Sequence, residues 1–208
     1  MIPLDIALAF FTTSVLLGIS PGPDNIFVLT QSALRGRQAG IFVTLGLCTG
    51  LIVHTLAVSF GVAAIFQTSA LAFTVLKFAG AAYLLYLAWQ AFRAPATGIH
   101  LGEGSGASGW ELYRRGIIMN ITNPKVSIFF LAFLPQFAEP ARGSLTVQMM
   151  LLGGLFILAT LLVFGTIALL AGTIGRKLGQ SAGAEKIMNR VAGTVFTALA
   201  FKLAMTDR

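Results

Sequence analysis

Two apolar stretches of this chain are each interrupted by proline and polar residues. The first interruption is Pro21-Gly22-Pro23-Asp24-Asn25, and the second is Asn120-Ile121-Thr122-Asn123-Pro124-Lys125. Proline lacks a backbone N–H and clashes with the preceding helical turn, so each interruption is expected to end one half-helix and start another. Interrupted apolar segments at corresponding places in two halves of a chain are typical of a transporter's binding site. The interruptions therefore predict a transporter with a site near the bilayer centre.

Six apolar stretches are long enough to cross a bilayer, for which about 17 to 25 residues are needed. The chain is 56% hydrophobic and only 10% charged, whereas about a quarter of the residues in a soluble domain are charged. This composition predicts an all-α, multi-pass membrane protein. The predicted spans are residues 4–34, 41–66, 71–92, 116–137, 145–171 and 187–205, with spans one and four broken by proline.

The net charge of +7 lies mostly in alternate loops, while the remaining loops carry almost no net charge. Because Lys and Arg in short loops mark the cytoplasmic side, this pattern predicts that both termini lie outside. It also assigns the excess charge to membrane topology, and no nucleic-acid partner is expected. The basic residues of the predicted cytoplasmic loops are Arg35, Arg37, Arg93, Arg114, Arg115, Arg176, Lys177, Lys186 and Arg190.

The chain is predicted to form one transporter domain, residues 1–208, built from two repeats of three spans. A segment at 96–109 has the glycine- and serine-rich composition of a flexible linker, and it separates residues 1–95 from residues 110–208. Because three is an odd number, the second repeat would enter the membrane upside down. Residues 77–83 and 190–196 share the pattern basic-x-Ala-Gly-x-x-aromatic, which supports the duplication.

The two interruptions carry the charged residues of the predicted site. Asp24 follows Pro23 and is expected in the first turn of a half-helix, where the helix dipole favours a carboxylate. Lys125 follows Pro124 in the same way, but the dipole there disfavours a cation, so Lys125 needs a carboxylate from the protein or a substrate. An isolated charge at the bilayer centre costs about 2.5 to 3.5 kcal/mol. Asp24 and Lys125 are therefore expected either to pair structurally or to bind the ammonium and carboxylate of an amino acid.

Neutral and weakly basic residues complete the predicted site. Asn25, Asn120 and Asn123 would supply hydrogen bonds to the substrate. His54 in span two could relay a proton, or it could be a hydrogen-bonded packing residue. Gln136, near the end of span four, is a candidate for the substrate path on equal terms with a structural role.

Other features of the spans bear on packing and on rival functions. Gly46 and Gly50 form a GxxxG pattern, which is expected to let two helices approach closely. Cys48 is the only cysteine, which excludes intrachain disulfides and thiolate metal clusters. No cofactor or metal site is predicted, and an enzyme is not expected, because Asp24 is the only acid away from the ends of the predicted spans and an intramembrane aspartyl protease needs two apposed aspartates. A metal-cation or other small-solute exporter, with Asp24 and His54 as ligands, remains the alternative.

The interruptions and the sequence around them match the motifs of a known family. The matching segments are residues 20–25, 35–36, 40, 76–77, 80–84, 120, 123–125 and 129–137. Through these segments, nearly the whole chain resembles the lysine-exporter (LysE) family, specifically its homoserine/threonine-resistance (RhtB) branch. The resemblance implies a bacterial inner-membrane exporter of amino acids, driven by proton or sodium exchange, with a homodimer as one assembly it allows. It also implies functional roles for Asp24, Asn25 and Asn123-Pro124-Lys125.

Overall fold

A computed structural model of the chain describes residues 2–62, 70–94, 106–178 and 182–205, and all regular secondary structure within these residues is helical. This confirms the predicted all-α class. The π-helical turn Val58–Val62 continues α3, and the π-helical turn Phe129–Phe133 and the 3₁₀ turn Leu134–Phe137 continue α6. The helices are α1 (Leu4–Ile19), α2 (Pro23–Arg35), α3 (Arg37–Ala57), α4 (Ala70–Arg93), α5 (Gly109–Thr122), α6 (Pro124–Ile128), α7 (Leu145–Leu178) and α8 (Ala182–Met205).

The helix breaks occur where the prolines predict them. The pair α1 and α2 is bent by 62° across its break, and the pair α5 and α6, with the turns that follow, is bent by 51°. Three further segments, Arg37–Gly61, Thr74–Arg93 and Leu145–Ala171, are long and apolar enough to cross a membrane. The described residues therefore hold three candidate spans, or up to five if each bent pair is one span.

The sixth predicted span coincides with α8, but α8 is not among these candidate spans. Its residues 187–205 include Arg190 and Lys202 and the buried Asn189, which reduce its apolar character. The six-span count and the inverted repeats therefore stay predictions. Residues 63–66 of the second predicted span, and residues 96–105 of the predicted linker, lie outside the described residues.

Two clusters of buried apolar side chains form the core. The larger cluster includes residues of α1, α6 and the turns after α6, and the smaller includes residues of α2, α5 and the first part of α3. Phe10 of α1 contacts Phe129 and Phe137, with ring centroids 5.9 and 5.1 Å apart. Because α1 ends and α6 begins at a break, these contacts place both half-helices on the same side of the breaks.

Glycines bring α3 and α5 into backbone contact. A Cβ atom added to Gly46 would overlap the Tyr113 carbonyl oxygen, and one added to Gly116 would lie 2.5 Å from the Val43 carbonyl oxygen. One turn further along α3, a Cβ on Gly50 would lie 2.7 Å from the Asn120 side chain. The predicted role of Gly46 and Gly50 in close helix approach is confirmed, and this contact places Asn120 against α3.

Candidate functional site

The carbonyl end of α1 is bound by side chains from beyond the first break. Asn25 Nδ2 donates to the Gly18 carbonyl oxygen at 2.6 Å. Lys125 Nζ, from the second break, donates to the carbonyl oxygens of Ser20 at 3.1 Å and Leu17 at 3.4 Å. The negative end of the α1 dipole therefore faces the Lys125 ammonium, and such a position stabilises a cation.

Gly22 makes room for the Lys125 ammonium. Its backbone is extended, with φ −176° and ψ 175°, so its conformation suits any residue, but an added Cβ would lie 3.0 Å from Lys125 Nζ. Lys125 is buried, with a relative exposure of 9%, and it does not come within ion-pair distance of Asp24. The Lys125 ammonium therefore donates to backbone carbonyl oxygens of the first half of the chain, whereas the sequence predicted a carboxylate as its partner.

The second break is shaped by Asn123 and Pro124. Asn123 is the N-cap of α6, its Oδ1 accepts from the backbone N–H of Lys125 at 3.0 Å, and Pro124 occupies the first helical position. At the carbonyl end of α5, the Asn120 carbonyl oxygen accepts from the Asn123 N–H at 3.1 Å. His54 Nε2 lies 3.2 Å from the same oxygen. Since a carbonyl can only accept, this contact assigns a proton to His54 Nε2.

Asp24 lies in the first turn of α2, as predicted, and it is buried, with a relative exposure of only 3%. Its Oδ1 has no hydrogen-bond partner among the described residues. Its carboxylate interacts electrostatically with Lys125 and His54, and the side chains of Asn120 and Asn123 lie close to it. Asp24 is therefore a buried acid whose hydrogen-bonding capacity is not filled by this part of the chain.

Unfilled hydrogen-bonding capacity is concentrated at the two breaks. A buried polar atom without a partner costs about 1 to 3 kcal/mol, so a cluster of such atoms indicates a place for a ligand. Five buried polar atoms at the breaks have no partner among the described residues, and four of them are oxygens, which can accept hydrogen bonds. Such a set suits a ligand with several donors, for example an ammonium group. These unpartnered atoms, among the described residues, are Ser20 Oγ, Asp24 Oδ1, Asn25 Oδ1, Asn120 Oδ1 and Asn123 Nδ2.

The structure groups most of the predicted residues and separates one. The two breaks carry Asp24, Asn25, Asn120, Asn123 and Lys125, and His54 reaches the second break through its hydrogen bond. Gln136 lies twelve residues beyond Pro124, which is about 18 Å along a helix, and its Nε2 donates to the Ala132 carbonyl oxygen of its own segment. Gln136 is therefore not a member of the cluster at the breaks.

Sequence reasoning missed Ser20 and the aromatic packing beyond the breaks. Ser20 stands directly before the Pro-Gly-Pro motif, which is the signal that could have identified it. On the α1 and α6 side, phenylalanine rings pack with centroid distances of 4.9 to 6.5 Å. All of these rings are buried, and they belong to Phe10, Phe129, Phe130, Phe133, Phe137 and Phe156.

Comparison with known proteins places this chain among translocators. The family described as LysE type translocator matches residues 15–207. The homoserine/homoserine lactone efflux protein of Salmonella typhimurium is 36% identical over 197 residues, which cover 94% of each chain. An uncharacterized membrane protein of Vibrio cholerae is 31% identical over 197 residues, 95% of each chain. The leucine efflux protein of Salmonella typhimurium is 24% identical over 200 residues, 94% of this chain and 92% of the relative. No solved structure matches this chain significantly.

Proposed function

The chain belongs to the LysE family of translocators, and we propose that it exports amino acids or close derivatives from the cytoplasm through the site at its two helix breaks. It is a multi-pass membrane transporter and not an enzyme. Relatives named as efflux proteins for homoserine, homoserine lactone and leucine support an amino-acid class of substrate.

The observation that carries the proposal is the set of unpartnered oxygens at the breaks, with the Asp24 carboxylate among them. A substrate ammonium carries three N–H donors and a positive charge, and it would satisfy both the carboxylate and neighbouring amide oxygens. The Asn120 side chain lies close to Asp24. We assign the substrate ammonium to Asp24, with Asn120 and Asn25 as its neutral acceptors and Asn123 as a donor.

The structure changes the role proposed for Lys125. Two of its three N–H donors are directed at the Ser20 and Leu17 carbonyl oxygens, which leaves at most one for a substrate carboxylate. Lys125 then mainly holds the first break in shape, and recognition depends more on the ammonium than on the carboxylate. Homoserine lactone has no free carboxylate, so the name of the relative that is 36% identical, a homoserine/homoserine lactone efflux protein, fits this division of roles.

Coupling to an ion follows from the chemistry of Asp24. The Lys125 ammonium is not within ion-pair distance of Asp24, and Asp24 Oδ1 has no hydrogen-bond partner among the described residues. Because a buried carboxylate without a direct partner is costly, Asp24 would take up a proton or a sodium ion whenever the substrate ammonium is absent. Competition between substrate and ion for one carboxylate would produce exchange of one for the other. Alternating access would then require the phenylalanine cluster on the α1 and α6 side to open while the α2 and α5 side closes.

The proposal retains the predicted topology and location. Residues 1–95 and 110–208 form two inverted repeats with six spans, and both termini lie outside a bacterial inner membrane. A homodimer is compatible with the proposal, which does not require one. The metal-cation exporter has no support from the described residues, because these hold no group of three or more His, Cys, Asp and Glu side chains that could bind a metal.

The experiment is an export assay with matched aspartate variants. Cells that express the chain are loaded with a panel of dipeptides, and each amino acid released into the medium is followed by mass spectrometry. We expect Asp24→Asn to abolish export and Asp5→Asn, which changes an exposed acid at the start of α1, to preserve it. Export by membrane-located Asp24→Asn at the wild-type rate would remove Asp24 from the mechanism. Release of no amino acid by the wild-type chain would refute the substrate class.

The coupling ion is identified in a second assay. Purified protein in vesicles is given an outward substrate gradient, and a proton gradient or a sodium gradient is imposed separately. Stimulation by only one gradient assigns the ion. Wild-type transport that responds to neither would contradict ion exchange while leaving amino-acid export intact.

A further inference from the structure

One exposed face of α5 carries charged and apolar residues that the transport site does not use. Arg114 and Arg115 are exposed residues on this face, and Ile118, which follows one turn later, has a relative exposure of 56%. Together they border a pocket next to the start of the helix. The residues that line this pocket are Gly106, Ala107, Glu111, Arg114, Arg115 and Ile118.

The pocket is electropositive in spite of its one acid. Glu111 is the third residue of a capping box at the start of α5, where its carboxylate accepts from the Ser108 N–H at 2.7 Å. Its charge is therefore directed at the helix N-terminus, which favours it. A third guanidinium reaches the rim, because Arg35 donates to the Ala107 carbonyl oxygen at 2.9 Å. Three arginines thus surround a pocket with one engaged carboxylate.

The arginines lie at the depth of lipid phosphates if the helix break lies at the bilayer centre. At about 1.5 Å per residue, Arg115 and Arg114 are about 12 and 14 Å along α5 from Asn123, whereas Ile118 is about 8 Å from it. Half of the hydrocarbon core is about 15 Å thick, and long arginine side chains extend toward the headgroups. Trp110, with a relative exposure of 64%, lies one turn further out, at the level of the membrane interface, where aromatic residues are enriched.

From this arrangement we propose that the α5 pocket binds the phosphate headgroup of an anionic phospholipid. The guanidinium groups of Arg114 and Arg115 bind the phosphate, since arginine presents paired donors that match phosphate oxygens. One acyl chain lies along Ile118 and Ile121, which are exposed on the same half-helix. This site is separate from the helix breaks and does not depend on which solute the chain exports.

The test measures lipid retention by the purified full-length chain. Protein is incubated with mixed micelles of palmitoyl-oleoyl phosphatidylglycerol and palmitoyl-oleoyl phosphatidylcholine, and bound lipid is measured by native mass spectrometry. We expect preferential retention of phosphatidylglycerol. Each arginine should contribute about fivefold in affinity, because a basic residue near anionic lipid contributes about 1 kcal/mol. Arg114→Gln is the first variant, since the Arg114 side chain is exposed and makes no hydrogen bond, ion pair or cation–π contact within the described part of the chain.

Two further variants keep the test decisive. The double variant Arg114→Gln/Arg115→Gln should lose about 25-fold in affinity by the same estimate, and its elution in size-exclusion chromatography reports whether it folds. Arg93→Gln is the matched control, because Arg93 is an exposed arginine on α4 that lies over the Trp89 ring, away from this pocket. It should retain the lipid as the wild-type chain does.

Specific outcomes would overturn the proposal. Equal retention of the two lipids by the wild-type chain would exclude a preference for the anionic headgroup. Unchanged retention by Arg114→Gln, or an equal loss in Arg93→Gln, would exclude this pocket as its location. Displacement of the lipid by millimolar inorganic phosphate would show that the pocket binds free phosphate and that the acyl contacts contribute nothing.

Discussion

The contact between α3 and α5 can be tested by adding one methyl group at Gly46. Its Cβ would overlap the Tyr113 carbonyl oxygen and lie 3.0 Å from the Cα of Gly116. Carbon and oxygen atoms in close helix contacts are normally about 3.3 to 3.6 Å apart, so in Gly46→Ala the two helices must separate by about 1 Å. No rotamer change can relieve the overlap, because the atoms that it meets belong to the backbone.

The expected cost follows from overpacking. Insertion of a methyl into a well-packed contact costs about 1 to 3 kcal/mol. For a chain of this size, each kcal/mol lowers Tm by about 2 to 4 °C, which gives a decrease of about 2 to 12 °C. Separation of the helices also moves Asn120, which lies one turn beyond Gly116 and accepts from His54. We therefore expect Gly46→Ala to reduce export more than its stability loss alone explains.

The assay compares two glycine-to-alanine variants in detergent and in cells. Gly154→Ala is the control, because nothing lies within 4 Å of a Cβ at that position of α7. Thermal unfolding is followed by the loss of monodisperse protein on heating, and export is measured at equal membrane abundance. A Gly46→Ala protein with the wild-type Tm and the wild-type export rate would refute the contact between α3 and α5.

Three further substitutions test other parts of the structure. Lys125→Met should destabilise the chain by about 2 to 4 kcal/mol, because buried carbonyls of α1 lose a charged donor. Lys186→Met, at an exposed position of α8, is the control and should leave Tm unchanged. Equal Tm values for the two variants would contradict the helix-end role of Lys125. Gln148→Leu removes three hydrogen bonds to the loop at 139–143, each of which contributes about 0.5 to 1.5 kcal/mol. The variant should therefore be cleaved faster by proteases in this loop, and an unchanged cleavage rate would show that these hydrogen bonds do not hold the loop. Phe130→Ala should cost about 3 to 5 kcal/mol, measured as a fall in Tm, and a fall no larger than that of Gly154→Ala would show that the phenylalanine cluster is loosely packed.

The sequence predicts the breaks because proline acts locally. Pro23 and Pro124 each occupy the first helical position after a break, where the missing N–H has no intrahelical partner in any case. The same local logic places Asp24 in the first turn of α2. These features depend only on residues next to each other in the chain, so they could be derived without tertiary information.

The partners of Lys125 could not be derived in this way. They are the backbone carbonyls of Leu17 and Ser20, more than 100 residues away, and backbone groups carry no side-chain signature. The same limit applies to the His54 contact with the Asn120 carbonyl. The π-helical turns likewise have no distinctive composition, because their apolar residues would equally suit an α-helix.

The two breaks show how one chain separates fixed from exchangeable charge. Each break leaves the carbonyl end of a half-helix without helical partners, and such an end favours a positive group. Lys125 reaches the end of α1, and His54 donates to the end of α5, so both ends are bound by side chains that cannot leave. The N-terminal end of α2 carries Asp24, whose Oδ1 has no partner in the described part of the chain. A diffusible cation is therefore best accommodated at Asp24, and the substitution of this one residue should abolish exchange while both helix ends remain bound.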